Sequence, residues 1–150
     1  MANKMPPVIY DSAEQKPWEL GPDFYMVRGK LRTGDYTFQG LEDVLTIERK
    51  SIGDLVGTVI QDWIRFRKQL VRMSGFDLAC VVVEGTPQDI LDHKYESQAN
   101  PESVIGKCNA IYVDHGIPVF WYGPRPVAVH MVERLLVMAW KRYGREVGGE

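Results

Sequence analysis

Apolar and polar residues alternate in several short segments of the chain, and this alternation predicts a sheet. The clearest alternation spans residues 43–50. A nearly continuous apolar run is typical of a strand covered on both faces, and residues 76–84 form such a run. The other predicted extended segments are residues 8–11, 24–28, 30–38 and 117–122.

A second periodicity, of alternating steps of four and three, begins immediately after residue 50. Apolar residues keep these steps from Ile52 to Met73, which predicts one helix of about six turns with Ser51 as its N-cap. Two later helices are predicted, one from Pro101 to a glycine stop at Gly116 and one that begins at Pro126. Residues 86–100 are polar and irregular, with room for one short helix.

The order of these elements predicts the fold class. Strands come first, and helices and strands then alternate, which favours an α/β sandwich with a mixed central sheet and helices on both faces. Charged residues at the strand ends would then gather at one rim. A chain of 150 residues without an evident linker is expected to form a single domain over residues 1–150.

Strand parity places two opposite charges together at the end of segment 43–50. Side chains alternate between the faces of a strand, so Glu48 and Lys50 share one face, about 7 Å apart along the strand. Arg49 points to the other face with the apolar residues of the strand. Both Glu48 and Lys50 could therefore reach one metal-bound phosphate.

The predicted long helix also carries a polar row with two interpretations. The first is a solvated helix face, which is the usual explanation of such a pattern. The second is an edge that follows a phosphate backbone, because the row begins beside the Glu-x-Lys pair and becomes positive farther along. Its members are Asp54, Thr58, Gln61, Arg65, Lys68 and Arg72.

Composition excludes several classes of protein. No apolar run approaches the roughly 20 residues of a membrane span, and the first residues do not form a signal peptide, so a cytoplasmic protein without a membrane partner is expected. The net charge of −2 argues against a general polyanion binder, but not against local positive patches. Cys80 and Cys108 lack the spacing of a zinc site.

Two acids on neighbouring strands suggest metal chemistry. Asp35 and Glu48 offer the hard oxygen donors that Mg²⁺ prefers, and Lys50 could orient water or stabilise a phosphate. Asp11 and Asp54 could add further negative charge. As a bare pattern this signal is weak, because Glu and Lys often alternate on exposed strands.

The wider motif is specific. Gly34-Asp35, Glu48-Arg49-Lys50 and Asp54 together resemble the signature of the XPF family of structure-specific endonucleases. The segments VIYDSAEQKPWEL, IRFRKQLVRM and CVVVEG also resemble that family's opening strand, helix and following strand, so the similarity covers residues 8–85. GIPVFWYG and the last helix are consistent with the rest of such a domain.

The resemblance implies a restriction-endonuclease-like three-layer sandwich and a Mg²⁺- or Mn²⁺-dependent DNA endonuclease. It would act on branched, flapped or junction DNA in repair or recombination, and could form a homodimer or heterodimer. The implied catalytic residues are Asp35, Glu48 and Lys50, and the implied metal ligands are Asp11, Asp35 and Glu48. Glu14, Arg49 and Asp54 would support the site, and Arg65, Lys68 and Arg72 would contact DNA.

Two departures from the family pattern leave alternatives open. Ala13 stands where the family's Asp-x-Arg-Glu has arginine, and residues 1–150 are expected to form the nuclease domain without the tandem helix-hairpin-helix module that usually follows it. A weakly active or inactive DNA-binding or scaffolding subunit, paired with an active partner, is therefore the alternative function. A restriction-type nuclease of the same fold is a third hypothesis, against which the Glu-Arg-Lys form and Asp54 argue.

Overall fold

A mixed sheet forms the middle layer of the computed structural model, which describes residues 4–147 and the side chains of residues 4–144. The strand order across the sheet is β2-β1-β3-β4-β5-β6 for the described part of the chain. The strands are β1 (Val8–Asp11), β2 (Met26–Gly29), β3 (Tyr36–Phe38), β4 (Leu45–Ser51), β5 (Leu78–Glu84) and β6 (Val119–Trp121).

Strand directions bring the charged strand ends to one edge. β1 is parallel to β2 and antiparallel to β3, which is antiparallel to β4. β4, β5 and β6 are parallel to one another. The carboxyl ends of β1, β4 and β5 therefore meet at the same edge as the amino end of β3, and the residues there include Asp11, Asp35, Lys50 and Glu84.

Helices cover both faces of the sheet, so the predicted α/β sandwich is confirmed. The helices are α1 (Ile52–Ile60), α2 (Trp63–Met73), α3 (Pro87–Leu91), α4 (Pro101–His115) and α5 (Arg125–Val147). The first four supply buried residues to one apolar core with Val81 and Val83. α5 packs on the opposite face with Ile47 and Val82. Within residues 4–147, no helix is long and apolar enough to cross a membrane.

The predicted six-turn helix is wrong, because the structure has two helices in its place. The chain leaves helical geometry at Asp62, whose φ of −110° and ψ of 26° lie outside the α region. The backbone N–H groups of Gln61 and Asp62 both donate to the carbonyl of Gly57. Apolar spacing could not reveal this break, since Val59 before it and Phe66 after it enter the same core.

The predicted extended segment 30–38 is also shorter than expected, because only Tyr36–Phe38 is a strand. The preceding residues cross over β4, where the Thr46 hydroxyl donates to the carbonyl of Thr33 over 3.2 Å. Gly34 makes this close crossing possible. Its φ is +77°, and a Cβ atom there would lie 1.9 Å from Thr46 Oγ1.

Candidate functional site

Glu48 and Lys50 form a largely buried ion pair near the carboxyl end of β4. Glu48 is 6% exposed, and its Oε2 lies 2.9 Å from Lys50 Nζ. The second carboxylate oxygen, Oε1, accepts a hydrogen bond of 2.8 Å from Gln69 Nε2 on α2. Lys50 Nζ also lies 5.3 Å from the centre of the Phe66 ring. The two charges occupy one face of β4, as strand parity predicts.

Asp35 lies opposite this pair on the neighbouring strand. Tyr36 pairs with Ile47 in the antiparallel register, so the preceding residue, Asp35, faces Glu48. The backbone N–H of Arg49 donates to Asp35 Oδ2 over 2.8 Å and fixes the carboxylate. Burial, followed by repulsion from Glu48, raises the pKa of Asp35 from 3.8 to about 8 despite that hydrogen bond.

Arg49 enters a separate network on the opposite face of β4. Its Nε donates to Glu84 Oε1, and its Nη1 lies 3.4 Å from Glu14 Oε2. Glu84 also accepts from Trp18 Nε1 over 2.8 Å and from Arg125 Nε over 3.3 Å. Burial would raise the pKa of Glu84, but the hydrogen bond and charge of Arg49 outweigh burial and lower it.

Tyr36 connects the opening segment to this network. Its hydroxyl donates to Glu14 Oε2 and accepts from the Trp18 backbone N–H, both over 2.8 Å. The Trp18 and Tyr36 rings stack with their centres 4.4 Å apart. Because Asp35 directly precedes Tyr36, these contacts also help to fix the position of the Asp35 backbone.

Asp11 and Asp54 have structural tasks of their own. Asp11 Oδ1 accepts from the Leu31 backbone N–H over 2.8 Å, and Oδ2 accepts from the Ala13 N–H over 3.1 Å, so both oxygens hold turns. Asp54 is exposed in the first turn of α1, where its backbone N–H donates to the Ser51 hydroxyl over 3.1 Å. Asp54 thus confirms Ser51 as the N-cap.

The predicted trio of metal ligands does not form a ready-made metal cluster. Within residues 4–147, no group of three or more His, Cys, Asp and Glu side chains is arranged to hold a metal ion. Each Asp11 oxygen accepts one backbone N–H, which leaves a lone pair on each, so the role of Asp11 as a ligand stays a prediction. Asp35 and Glu48 are left as a pair of facing carboxylates.

This pair nevertheless fits a divalent cation. Mg²⁺ is commonly held by only one or two carboxylates, with waters and substrate phosphate as its other ligands. Positive charge between Asp35 and Glu48 would also relieve the repulsion that raises the pKa of Asp35. The residues therefore have the donor type and the charge that such an ion requires.

The structure divides the three cations of the predicted polar row. Arg65 and Lys68 line a cavity of about 480 Å³ at the break between α1 and α2. Arg72 lines a different cleft, of about 380 Å³, with the segment from Lys30 to Thr33. The break at Asp62 also separates all three from Asp54, so the single row is not present.

Sequence reasoning gave no role to Gln69, Glu84, Arg125 or Trp18. Gln69 had a readable signal, because a polar residue between Phe66 and Met73 lies on the apolar stripe of its helix. Glu84 also had a signal in the sequence, because it is an acid that ends a buried strand. Arg125 had none. Its guanidinium donates to the carbonyls of Lys16 and Pro17, which no local pattern reveals.

The sheet order, the three layers and the charged edge define an α/β domain with the restriction-endonuclease-like fold. The chain belongs to the ERCC4 domain family, whose model matches residues 19–135. No curated protein matches the chain by sequence.

Two solved structures have the same fold. XPF from Aeropyrum pernix superposes with a TM-score of 0.68 at 20% identity, over 89% of this chain and 61% of that one. The same protein in complex with DNA gives a TM-score of 0.67 at 20% identity, over 91% and 66%. This chain therefore spans about three-fifths of the length of the first of these relatives.

Proposed function

We propose that this ERCC4 domain is a metal-dependent endonuclease that hydrolyses phosphodiester bonds in DNA. The observation that carries the proposal is the buried Glu48–Lys50 pair, 2.9 Å apart, with the Asp35 carboxylate facing it across β3 and β4. Membership of the ERCC4 domain family supports it, and so does the fold shared with an XPF that has been solved with DNA.

Asp35 and Glu48 would hold Mg²⁺ or Mn²⁺, which supplies Lewis acidity and lowers the pKa of bound water. Gln69 orients Glu48 by donating to one oxygen and leaving the other toward Lys50. The Lys50 ammonium, a compact charge on a flexible stem, would then stabilise negative charge on the phosphate. The Arg49 backbone N–H keeps the Asp35 carboxylate turned toward Glu48.

The substrate we favour is branched, flapped or junction DNA processed in repair or recombination, with the domain acting as a homodimer or heterodimer. An alternative is a DNA-binding or scaffolding subunit with little activity. One observation favours the alternative, namely that residues 4–147 contain no group of three potential metal ligands. The presence of both Asp35 and Glu48 favours the enzyme, because a purely structural subunit does not need two repelling carboxylates.

A cleavage assay on a panel of labelled DNA structures separates these functions. Wild type is compared with Lys50→Ala in Mg²⁺, then in Mn²⁺, and with EDTA as the blank. We expect metal-dependent cleavage that falls by about 10²–10³-fold in Lys50→Ala, the usual cost of removing one group that stabilises transition-state charge. The matched control is Lys94→Ala, a 64% exposed lysine outside the site, which should cleave as wild type does.

Binding of the panel without cleavage in either metal would support the scaffolding alternative. Equal cleavage by wild type and Lys50→Ala would contradict the role of Lys50. Sequence-specific cutting of linear duplex would instead indicate a restriction-type enzyme.

A further inference from the structure

A cleft beside the candidate site is lined by three cationic side chains and two carboxylates. It measures about 380 Å³ and lies between the segment after β2, the turn before β4 and the end of α2. Lys30, Arg32 and Arg72 contribute three cationic side chains, and Thr33 adds a hydroxyl. With Glu42 and Asp43 in the lining the cleft keeps a small excess of positive charge, whereas the chain as a whole has a net charge of −2. We call this feature the cation cleft.

The three cations are available to a ligand. Among the described residues, none of the three forms an ion pair, whereas Arg49, Lys50 and Arg125 all do. The carboxylate Glu42 also lines the cleft, yet its Oε1 accepts from the Gly40 backbone N–H over 2.8 Å. Arg72 Nε makes one long hydrogen bond of 3.4 Å to Thr33 Oγ1, which leaves most of its five N–H donors free.

The wall that carries Lys30 and Arg32 is held in place at both ends. Asp11 Oδ1 accepts from the N–H of Leu31, which lies between them, over 2.8 Å. Thr33 and Gly34 are fixed against Thr46 by the hydrogen bond and close crossing described above. The cations therefore project from a fixed backbone, which reduces the entropy lost when a ligand binds.

Both walls lead directly to the two facing carboxylates. On one wall, Thr33 is followed by Gly34 and then by Asp35. On the other, Arg72 lies one helical turn beyond Gln69, the residue that donates to Glu48 Oε1. One turn advances about 5 Å along a helix, which is of the order of one to two nucleotides along a strand.

We propose that the cation cleft is a second phosphate-binding subsite, which holds a backbone phosphate one or two nucleotides from the bond that is cut. The inference rests on the proposed function, and adds Lys30 and Arg32 to the residues that contact DNA. Glu42 and Asp43 line the same cleft, so a polyanion that enters beside Asp35 is repelled where these acids lie. The bound DNA strand would therefore leave the cleft beside Glu42 and Asp43 and would not continue along the protein toward the amino end of β4.

Binding without metal tests the subsite independently of cleavage. A labelled single strand is titrated in EDTA over a range of salt concentrations with wild type, Arg32→Ala, Arg72→Ala and the double variant. Each lost phosphate contact should reduce the slope of log affinity against log salt by about 0.7 to 1. The matched control is Arg134→Ala, an exposed arginine on α5 across the sheet, which should keep the wild-type slope.

A variant that is expected to bind DNA more tightly provides a further test, because misfolding cannot explain a gain of binding. Asp43→Lys places a cation in the cleft and should increase the slope by a similar amount while tightening binding at low salt. Unchanged slopes in Arg32→Ala and Arg72→Ala, or equal losses in Arg134→Ala, would overturn the subsite. Cleavage of the panel of branched, flapped and junction DNA by wild type in Mg²⁺ tests the proposed function alone. A nuclease without this subsite and a subsite without nuclease activity therefore give different results.

Discussion

The two faces of β4 neutralise charge in opposite ways. On the face toward α5, two arginines, Arg49 and Arg125, meet two carboxylates, Glu14 and Glu84. On the face toward α2, two carboxylates, Asp35 and Glu48, share the single ammonium of Lys50. The carboxyl pKa values differ accordingly: the pKa of Glu84 is lowered on the first face, and the pKa of Asp35 is raised on the second.

Three consecutive residues, Glu48, Arg49 and Lys50, therefore serve two purposes. The Arg49 side chain stabilises the fold on one face of β4, and Glu48 and Lys50 belong to the candidate site on the other. A matched and hydrogen-bonded network fixes the strand, since each buried charge has a partner. An excess of negative charge in a partly buried site costs stability, and such costs are typical of functional sites. Arg49 joins the two faces, because its side chain belongs to the network while its N–H holds Asp35.

The largest expected loss of stability follows from breaking the matched network. Arg49→Met keeps the length of the side chain but leaves Glu14 and Glu84 short of one partner. Removing one member of a buried ion pair costs about 3 kcal/mol or more, and Glu84 keeps Arg125 and Trp18, so we expect a loss of about 3 kcal/mol. Urea unfolding measures it, with Arg134→Met on the exposed side of α5 as the control.

An Arg49→Met variant as stable as wild type would show that the network does not stabilise the fold. The contrast between the two faces would then rest on the Asp35 side alone.

A smaller effect is expected from the orientation of Glu48. Gln69→Leu fits the apolar stripe of α2 but removes the donor to Glu48 Oε1. Groups that orient metal ligands typically contribute 10- to 100-fold to metal affinity or activity. We expect cleavage at low Mg²⁺ to fall by about that factor, and to recover in part as Mg²⁺ is raised.

Titration of cleavage against Mg²⁺ concentration checks this, with Gln98→Leu as an exposed glutamine control. A uniform loss that added Mg²⁺ does not reduce would mean that Gln69 acts on folding and not on the orientation of Glu48.

The sequence predicted the faces of β4 correctly, and the reason is local. Side-chain alternation is set by the backbone, so Glu48 and Lys50 had to share a face. The ends of the long predicted helix were correct for the same reason, but the break at Asp62 was not readable, since the apolar steps continue across it. The partners of Arg49 lie 35 residues away, at Glu14 and Glu84, and only the fold brings them together.

The same limit explains the assignment of Asp11. An acid at the end of a strand beside other acids suggests a metal ligand, which stays a prediction for Asp11, and nothing in the sequence shows that each of its oxygens also accepts a backbone N–H. The crossing of Thr33 over β4, which forms the cation cleft, was hidden in a segment with the alternation of a strand.

The last predicted effect has the opposite sign to that of Arg49→Met. In EDTA, the folded pKa of Asp35 is about 8 against 3.8 in the unfolded chain, so the folded state binds more protons between these values. Stability contributed by this group is therefore complete below about pH 4 and is lost as pH rises toward 8. Asp35→Asn does not titrate and still accepts from the Arg49 N–H, so it should abolish cleavage yet raise the unfolding free energy at pH 8 relative to wild type. Glu84→Gln is the comparison of opposite sign. The lowered pKa of Glu84 contributes stability that is present above pH 4.5 and lost as pH falls below it, so this variant should be less stable than wild type at pH 8. Urea unfolding across pH 3 to 9 measures both, and identical pH profiles for wild type and Asp35→Asn would remove the contrast between the two faces.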